Sequence, residues 1–518
     1  MKKTTLLILI SLYGNALLLA QSGSFDPTFG TNGIKITPVN SKDVYTSGLS
    51  VNQNNKILSA GSSGEDTYAD MFVLRQNIDG SLDPLFGTGG KKILSISPTN
   101  DVCTFMKLDG QDRIYVGGYG WKTGQGNNVE VARLHSDGSL DLTFAGTGYI
   151  SADFNTFYDY AYDLAIQQDG KLVIAGGTIA GDDEDVLVVR YLPSGLIDTS
   201  FNHTGWAKFD IWRSDEARYV TMLPDQRILV LGVSGSANPL KTDIILLQLL
   251  PNGTADPQFG NNGSLIVGIS PVWNYPAGMV LQNDGKILIG GTIGTKEFGL
   301  IRLNANGTFD GTFGINGVVT QVIANVQNNS ASAFTLQEDG KILMAGFSGK
   351  YPDYQSCIAR FNVTGSLDSG FADNGVLFHD LSDSTNYWTN IVAISNERVL
   401  VSGNANNSML YDHAIAKLIS NLSVGVLDVE REINELLVYP NPFNAFETLE
   451  YSLTKSQKVK VSLYDNTGRY IQTLVPESER NAGMHREFLS INPEFPSGNY
   501  ALMISGDGFI KSIKIFKK

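Results

Sequence analysis

One turn recurs seven times along this chain: an Asp, two residues, a Phe, and a glycine four residues after the Phe. The copies begin at Asp26, Asp83, Asp141, Asp198, Asp256, Asp310 and Asp368, at intervals of 57, 58, 57, 58, 54 and 58 residues. A period this regular means that one structural unit is repeated, and whatever the unit is, it must pack against copies of itself. Within each interval the order also recurs: a short apolar segment after the turn, a variable stretch, a second apolar segment, a QxDGK turn, a third segment, a variable stretch and a fourth. The middle of the unit reads AIQQDGKLVIAGG at 165–177, VLQNDGKILIGG at 280–291 and TLQEDGKILMAG at 335–346. Asp-Gly between alternating apolar residues is a hairpin signal. Four short strands per period of this length are the signature of propeller blades rather than of a helical solenoid. The 55 glycines among 518 residues fit a fold made of tight turns.

Seven copies predict a seven-bladed ring. The last copy, ending at HAIAKLI (413–419), lacks the strand that follows in the others, and GIKIT at 33–37 is the strand left over at the other end. The prediction is that 33–37 completes the last blade and that this pairing shuts the ring, leaving no open sheet edge. Arg75, Arg133, Arg190, Arg302 and Arg360 stand eight residues before the Asp of the next turn, with Gln248 and Lys417 in the other two copies. A residue used in nearly every blade has a structural role, an ion pair or hydrogen bond that sets the turn; an exposed pair of this kind contributes only about 0–1 kcal/mol. The repeated Phe reads as an apolar plug between blades.

The QxDGKILxxG, LxRLxxDGSLD and TFGxxG elements resemble those of the delta-60 repeat proteins over roughly residues 24–420. That resemblance implies a β-propeller-like fold and no particular activity. Ala145, Asn202 and Ala372 depart from it where glycine follows the Phe, as does Gln248 in place of the Arg.

The ends differ from the repeats. Lys2 and Lys3 precede an apolar stretch from Leu6 to Ala20, which reads as a secretory signal peptide over 1–20; it is short and broken for a membrane anchor. After Ile419 the pattern stops. Residues 421–436 read as a linker and 437–518 as short alternating strands of a small Ig-like β-sandwich. Tyr439, Pro440, Asn441, Pro442 and Phe443, then Leu463, Tyr464, Asp465 and Gly468, then Ser497, Gly498, Asn499 and Tyr500, and finally Lys511 to Ile515 resemble the C-terminal sorting domains of the type IX secretion system of Bacteroidetes. The resemblance implies the type IX machinery as partner and a propeller, 21–420, delivered to the outer cell surface or the medium. An ordinary adhesive module is the alternative. Lys511, Lys514, Lys517 and Lys518 are either part of the recognition element or a solvated basic tail.

The formal charge of −14 argues against nucleic acid as a partner, and no later segment is apolar enough to span a bilayer. Cys103 and Cys357 are expected to stay unpaired, since they fall in distant blades. The five histidines are scattered, without metal-ligand spacing. No cofactor or metal is expected, although the acidic run Asp182, Asp183, Glu184 and Asp185 carries oxygen ligands of the kind calcium takes; a solvated loop is the plainer reading.

Antiparallel order puts the two regular turns of each blade on one face of the disc and the two variable stretches on the other. The variable face receives Trp121, Trp212, Trp273 and Trp388, with Tyr68, Tyr158, Tyr160, Tyr275, Tyr351, Tyr354 and Tyr411. Rings among carboxylates suit stacking on sugars. The expectation is therefore a monomeric, non-catalytic protein binding glycans or other surface ligands through Trp121, Trp212, Trp273, Trp388, Tyr158, Tyr275 and Tyr411. The alternatives are a secreted polysaccharide lyase or hydrolase using carboxylates such as Asp159, Asp182, Asp183 and Asp215, and a ligand-free scaffold. No catalytic residue is nominated.

Overall fold

The computed structural model describes residues 22–421 apart from 41, 66–67, 155–156, 180, 182, 236–240, 271, 295, 325–327, 351–352, 383–384 and 407–409, and residues 433–517 apart from 444–445, 466–469 and 507–508. The expected signal peptide, most of the expected linker, Asp182, Tyr351, Gly468 and Lys518 lie outside the described residues. Every regular element among those described is a β-strand. The chain divides into two units, up to Asn421 and from Leu422.

In the first unit each repeat is a four-stranded antiparallel sheet. In the third repeat, Tyr158–Ile166, Leu172–Ile179, Glu184–Tyr191 and Trp206–Phe209 pair in sequence order. The third strand carries VLVV and is buried throughout its apolar run, as a strand covered on both faces must be. The first strands of the seven sheets are Asp43–Val51, Asp101–Leu108, Tyr158–Ile166, Asp215–Met222, Asn274–Leu281, Asn328–Leu336 and Asn386–Ala393. Each touches the next in that order, and the last touches the first. That closed circuit is a seven-bladed β-propeller with the first strands innermost. The closing strand forms as predicted: Ile34–Thr37 pairs antiparallel with Tyr411–Ile419, Ile34 opposite Ala416 and Thr37 opposite His413. Ser24–Phe25 adds two further residues to the same partner.

The repeated Arg works between blades as well as within them. Arg133 donates from Nε to Asp141 Oδ2 at 2.7 Å in its own turn, and another guanidinium nitrogen reaches the carbonyl of Pro193 in the next blade at 2.6 Å. Arg190 spans Asp198 and Pro251 in the same way, Arg302 spans Asp310 and Val363, and Arg75 and Arg360 reach Ser136 and Ser420. The guanidinium also lies over the Phe of the turn, 4.6 Å from the Phe144 centroid in the second blade. The pair is not the exposed one that sequence suggests, because the Arg133 and Asp141 side chains are each 3% exposed. The Phe plug does run between blades: Phe86 packs under Gly138 of the next blade, where a Cβ would come within 3.0 Å of the ring. Cys103 and Cys357 are buried and free, in the second and sixth blades.

The second unit has a three-stranded sheet, Ile433–Tyr439, Phe446–Leu453 and Gly483–Ser490. A four-stranded sheet orders Tyr470–Arg480, Gln457–Asp465, Gly498–Gly506 and Phe509–Lys517. Leu449, Tyr451 and Leu453 of one sheet share a core with Val461, Leu463, Leu502 and Ile515 of the other, the arrangement of a sandwich.

Candidate functional site: the inner strands at the variable face

All seven inner strands carry a β-bulge at the same place. The bulged residues are Ser47, Thr104, Tyr162, Arg218, Ala277, Ser332 and Thr389. A bulge re-aims its side chain and sharpens the local twist, and six of these seven residues are partly exposed. Two positions earlier stand Tyr45, Val102, Tyr160, Glu216, Tyr275, Ser330 and Tyr387, all exposed or half-buried. The residues between the two rows face the blade cores and, Pro276 apart, are buried. The propeller thus turns two rows of equivalent side chains out of its cores around the axis, and tyrosine occupies four of the seven places in the outer row.

The rows are richest at the third blade. Tyr158, Tyr160 and Tyr162 alternate along one strand, so their side chains share a face. The Tyr158 and Tyr160 rings are 6.3 Å apart and within 1° of parallel, and Tyr160 and Tyr162 are 6.0 Å apart at 10°. Trp121 lies 6.2 Å from Tyr158 and 5.6 Å from Phe157, and Tyr119 meets Tyr160 edge-on at 4.9 Å. The ladder ends in charge. The Arg218 guanidinium stands over the Tyr162 ring at 4.5 Å and donates from Nε to Glu216 Oε1 at 2.8 Å. Glu184, at the start of the third strand of this blade, also faces the group. Burial first, then the Glu216 charge, pushes its carboxyl up to about 7, and its Oε1 is buried without a hydrogen-bond partner. Gly177 makes room for it, since a Cβ there would lie 2.1 Å from that oxygen.

A second aromatic group spans blades six, seven and one: Phe347 meets Tyr354 at 4.6 Å and Tyr387 at 6.2 Å, and Tyr411 meets Tyr387 and Tyr45 at 6.0 Å each.

Of the residues expected to bind ligand, Trp121 and Tyr158 join the ladder and Tyr411 joins the second group. Trp273 and Tyr275 are exposed at the fifth inner strand, and Trp212 is exposed on the connection before the fourth. Trp388 is a correction: it is 1% exposed and belongs to the core of the seventh blade, because its position in the inner strand is the core-facing one between the two rows. The candidate carboxylates Asp159 and Asp215 are also removed from solvent. Asp159 accepts from Phe154 N and Thr178 Oγ1, and Asp215 accepts from the amides of Ile211 and Trp212, so both anchor connections. Asp183 accepts from the Glu184 amide, and Asp185 pairs with Lys208 at 2.6 Å. No group of three metal-ligating side chains occurs among the described residues. Sequence reasoning passed over Tyr162, Glu216 and Arg218, although the YDYAYDLAI alternation at 158–166 is visible there.

Of the residues expected to form a sorting motif, Asn441 and Phe443 hold the last strand of the second unit. Asn441 donates to the Lys514 carbonyl at 3.1 Å and accepts from the Phe516 amide at 2.9 Å, and buried Phe443 donates its amide to the Phe516 carbonyl. Tyr439 donates to Glu450, and Tyr500, beyond Gly498, donates to the Pro496 carbonyl. Neighbouring residues Pro440 and Pro442 both follow cis peptide bonds. Lys511 is half-buried and Lys514 exposed. Lys517 is not part of a solvated tail, since its ammonium is buried against the carbonyls of Pro493 and Phe495.

Residues 112–144, 167–201, 282–313 and 337–371 match a family described as a domain of unknown function (DUF5122) beta-propeller, and 437–518 match a secretion system C-terminal sorting domain. No curated protein matches the sequence. Solved structures similar to the chain include a catalytically inactive virginiamycin B lyase from Staphylococcus aureus, with 9% identity, 74% of this chain and 98% of that one covered and a TM-score of 0.43. An ulvan lyase of polysaccharide lyase family PL25 shows 12% identity over 78% and 96% of the two chains with the same score. Sqt1 from Chaetomium thermophilum shows 11% identity over 74% and 97%, again at 0.43. Likeness at this level says nothing of what this chain does.

Proposed function

Starting from a chain that carries DUF5122 β-propeller repeats and a type IX secretion sorting domain, we propose that it is a surface-delivered or secreted propeller that binds glycans without transforming them. Export follows from the sorting domain, and a signal peptide at 1–20 completes the route. The observation that supports the binding reading is the ladder of Tyr158, Tyr160 and Tyr162, a run of near-parallel, half-buried rings that sets apolar surface with hydroxyl edges along one inner strand. The experiment is a glycan array probed with the secreted protein, with released reducing ends assayed in parallel. Bound glycan without new reducing ends is expected, and Tyr160→Ala should weaken binding at least about tenfold, as loss of a central aromatic contact does. An array without a single hit, or full affinity in the Tyr160→Ala protein, would remove the reading.

One observation favours a hydrolase as the second reading. Burial and then the neighbouring Glu216 push the Glu184 carboxyl up to about 7, into the range a general acid of glycoside hydrolysis needs near neutral pH. Reducing ends that appear with the native chain and vanish with Glu184→Gln would establish it in place of simple binding.

A further inference from the structure

Three kinds of polar tie cross the seams of the ring, and among the described residues the seam between the fourth and fifth blades has none of them. The first is the guanidinium that reaches a carbonyl of the next blade, as from Arg133 to Pro193 at 2.6 Å. The fourth blade has Gln248 at this place, which stops at Asp256 of its own turn, 2.8 Å away, and leaves its Oε1 buried without a hydrogen-bond partner. Arg227 supplies a cation to Asp256 at 3.0 Å, but from within the same blade. The second tie is the amide that follows the Phe of each turn. In the other six turns it donates to a carbonyl of the next blade, at 2.7 Å from Ala145 to Ser194 and from Asn202 to Asn252, whereas among the described residues the Gly260 amide makes no such bond. The third is the amide just before the bulge of an inner strand, which donates to a side chain of the preceding blade: Cys103 to Ser62 Oγ at 2.8 Å, Ala331 to Thr292 Oγ1 at 3.0 Å and Thr46 to Asn404 Oδ1 at 3.0 Å. In the fifth blade the residue before the bulge is Pro276, which has no amide hydrogen. Its acceptor is missing too, because Val233, paired with Glu216 as Ser62 is with Tyr45, takes that place in the fourth blade. The seventh blade also lacks the arginine, yet its seam with the first keeps the other two ties, from Gly30 to Asp79 at 2.8 Å and from Thr46 to Asn404. Blades four and five are joined instead on the variable face, where the Asn274 amide donates to Thr242 Oγ1 at 3.0 Å and its Nδ2 to the Thr242 carbonyl at 2.8 Å. Below that clip the seam is apolar, Leu229, Leu231 and Leu246 sharing a core with Ile287, Ile289 and Leu303.

We infer that the ring is built to part at this seam: blades four and five swing open on the regular-turn face about the Thr242–Asn274 clip, while the other six seams stay shut. Parting any seam exposes apolar surface to water. Parting one of the tied seams also breaks hydrogen bonds, several of them charge-assisted and buried, and such bonds are the ones whose loss is felt most. The fourth seam adds no such cost on its regular-turn face, so it is where local opening has the lowest free energy. The weakness is written in the sequence. Gln248, Val233 and Pro276 each remove one half of a tie, and the interval from Asp256 to Asp310, 54 residues, is the shortest of the six. Because the clip is on the variable face, Tyr158, Tyr160 and Tyr162, all on the inner strand of the third blade, keep their arrangement when the seam opens.

The test reads thiol accessibility in the full-length protein. Cys103 lies in the seam of blades one and two and Cys357 in that of blades five and six, both buried, and Val233→Cys places a third thiol at the fourth seam. With a maleimide under native conditions, that thiol should react at least about tenfold faster than Cys103 and Cys357, since one charge-assisted hydrogen bond accounts for roughly that factor. Adding Gln248→Arg, which supplies the guanidinium that other blades use, should slow it about tenfold and leave the two native thiols unchanged. The native thiols also report folding. A Val233→Cys chain that fails to fold exposes all three thiols at one rate, and Ile289→Cys, buried on the opposite wall of the same seam, then takes its place. In a folded variant, a seam thiol no faster than Cys103 and Cys357, or a rate that Gln248→Arg leaves unchanged, would overturn the inference.

Discussion

Arg133 shows at the scale of one residue why the propeller repeats what it repeats. Its guanidinium joins three things, the Asp141 carboxylate, the Phe144 ring and the Pro193 carbonyl of the next blade. A catalytic group is needed once, whereas a joint is needed at every blade. Arg133→Ala leaves Asp141 and a carbonyl buried without their donor and should cost about 3 kcal/mol of stability, read by chemical denaturation. Arg133→Gln should cost less, because Gln248 in the fourth blade already reaches Asp256 at 2.8 Å. The pH dependence has a definite sign. Burial raises the Asp141 carboxyl, but the hydrogen bonds from Thr143 and the Arg133 pair outweigh it and hold it below the usual range. Its contribution is present above about pH 4 and is lost as pH falls further, so the gap between native and Arg133→Ala protein should close in acid. A gap that is constant down to about pH 2 would show that the joint is not the ion pair.

At the scale of elements, the ring is closed by a strand from the far end of the repeat region, and a buried histidine marks the seam. His413, opposite Thr37 of the closing strand, is fully buried, with Nδ1 3.0 Å from Thr46 Oγ1 of the first blade. Burial pushes it down to about 3. The folded seam therefore holds a neutral ring, while the unfolded chain takes up a proton below about pH 6.5. Stability from this group is complete above that value and is lost as pH falls, with a slope of about 1.4 kcal/mol per pH unit. His413→Gln should flatten the acid limb of a stability profile measured by urea unfolding between about pH 6 and pH 4; an unchanged slope would mean that the histidine is charged in the fold. The closing strand itself was legible in the sequence because GIKIT is the one strand of its class left without a blade. The bulges were not. They insert one residue into each inner strand, and the expectation that tryptophans on variable loops form the surface failed at Trp388 because the bulge register, not the loop, decides which residues face the core. Likewise Ala145, Asn202 and Ala372 look like harmless departures from glycine, yet all three sit at positive φ, 52°, 47° and 45°. The turn imposes that conformation whatever residue stands there, at some strain for alanine.

At the scale of the whole molecule, the two units were separable in sequence because the 57-residue period stops and a different set of motifs begins. The structure shows what that separation means physically. The core of the second unit is built from residues between Phe443 and Ile515, and the propeller cores are built from residues before Asn421. The described core side chains of each unit come from that unit's own strands, so removing the second unit takes away no described core residue of a blade. A chain lacking residues 433–518 should keep the propeller's thermal transition within about 2 °C, since every described core residue of the blades is retained. Yet it should stop short of the surface, because the sorting domain, with the last strand that Asn441 and Phe443 pin, is gone. Fractionation of the native host with protease added outside intact cells distinguishes the outcomes. A truncated propeller that is folded, internal and protected means that the second unit directs export; one that is folded and cleaved from outside means that the propeller carries its own route to the surface.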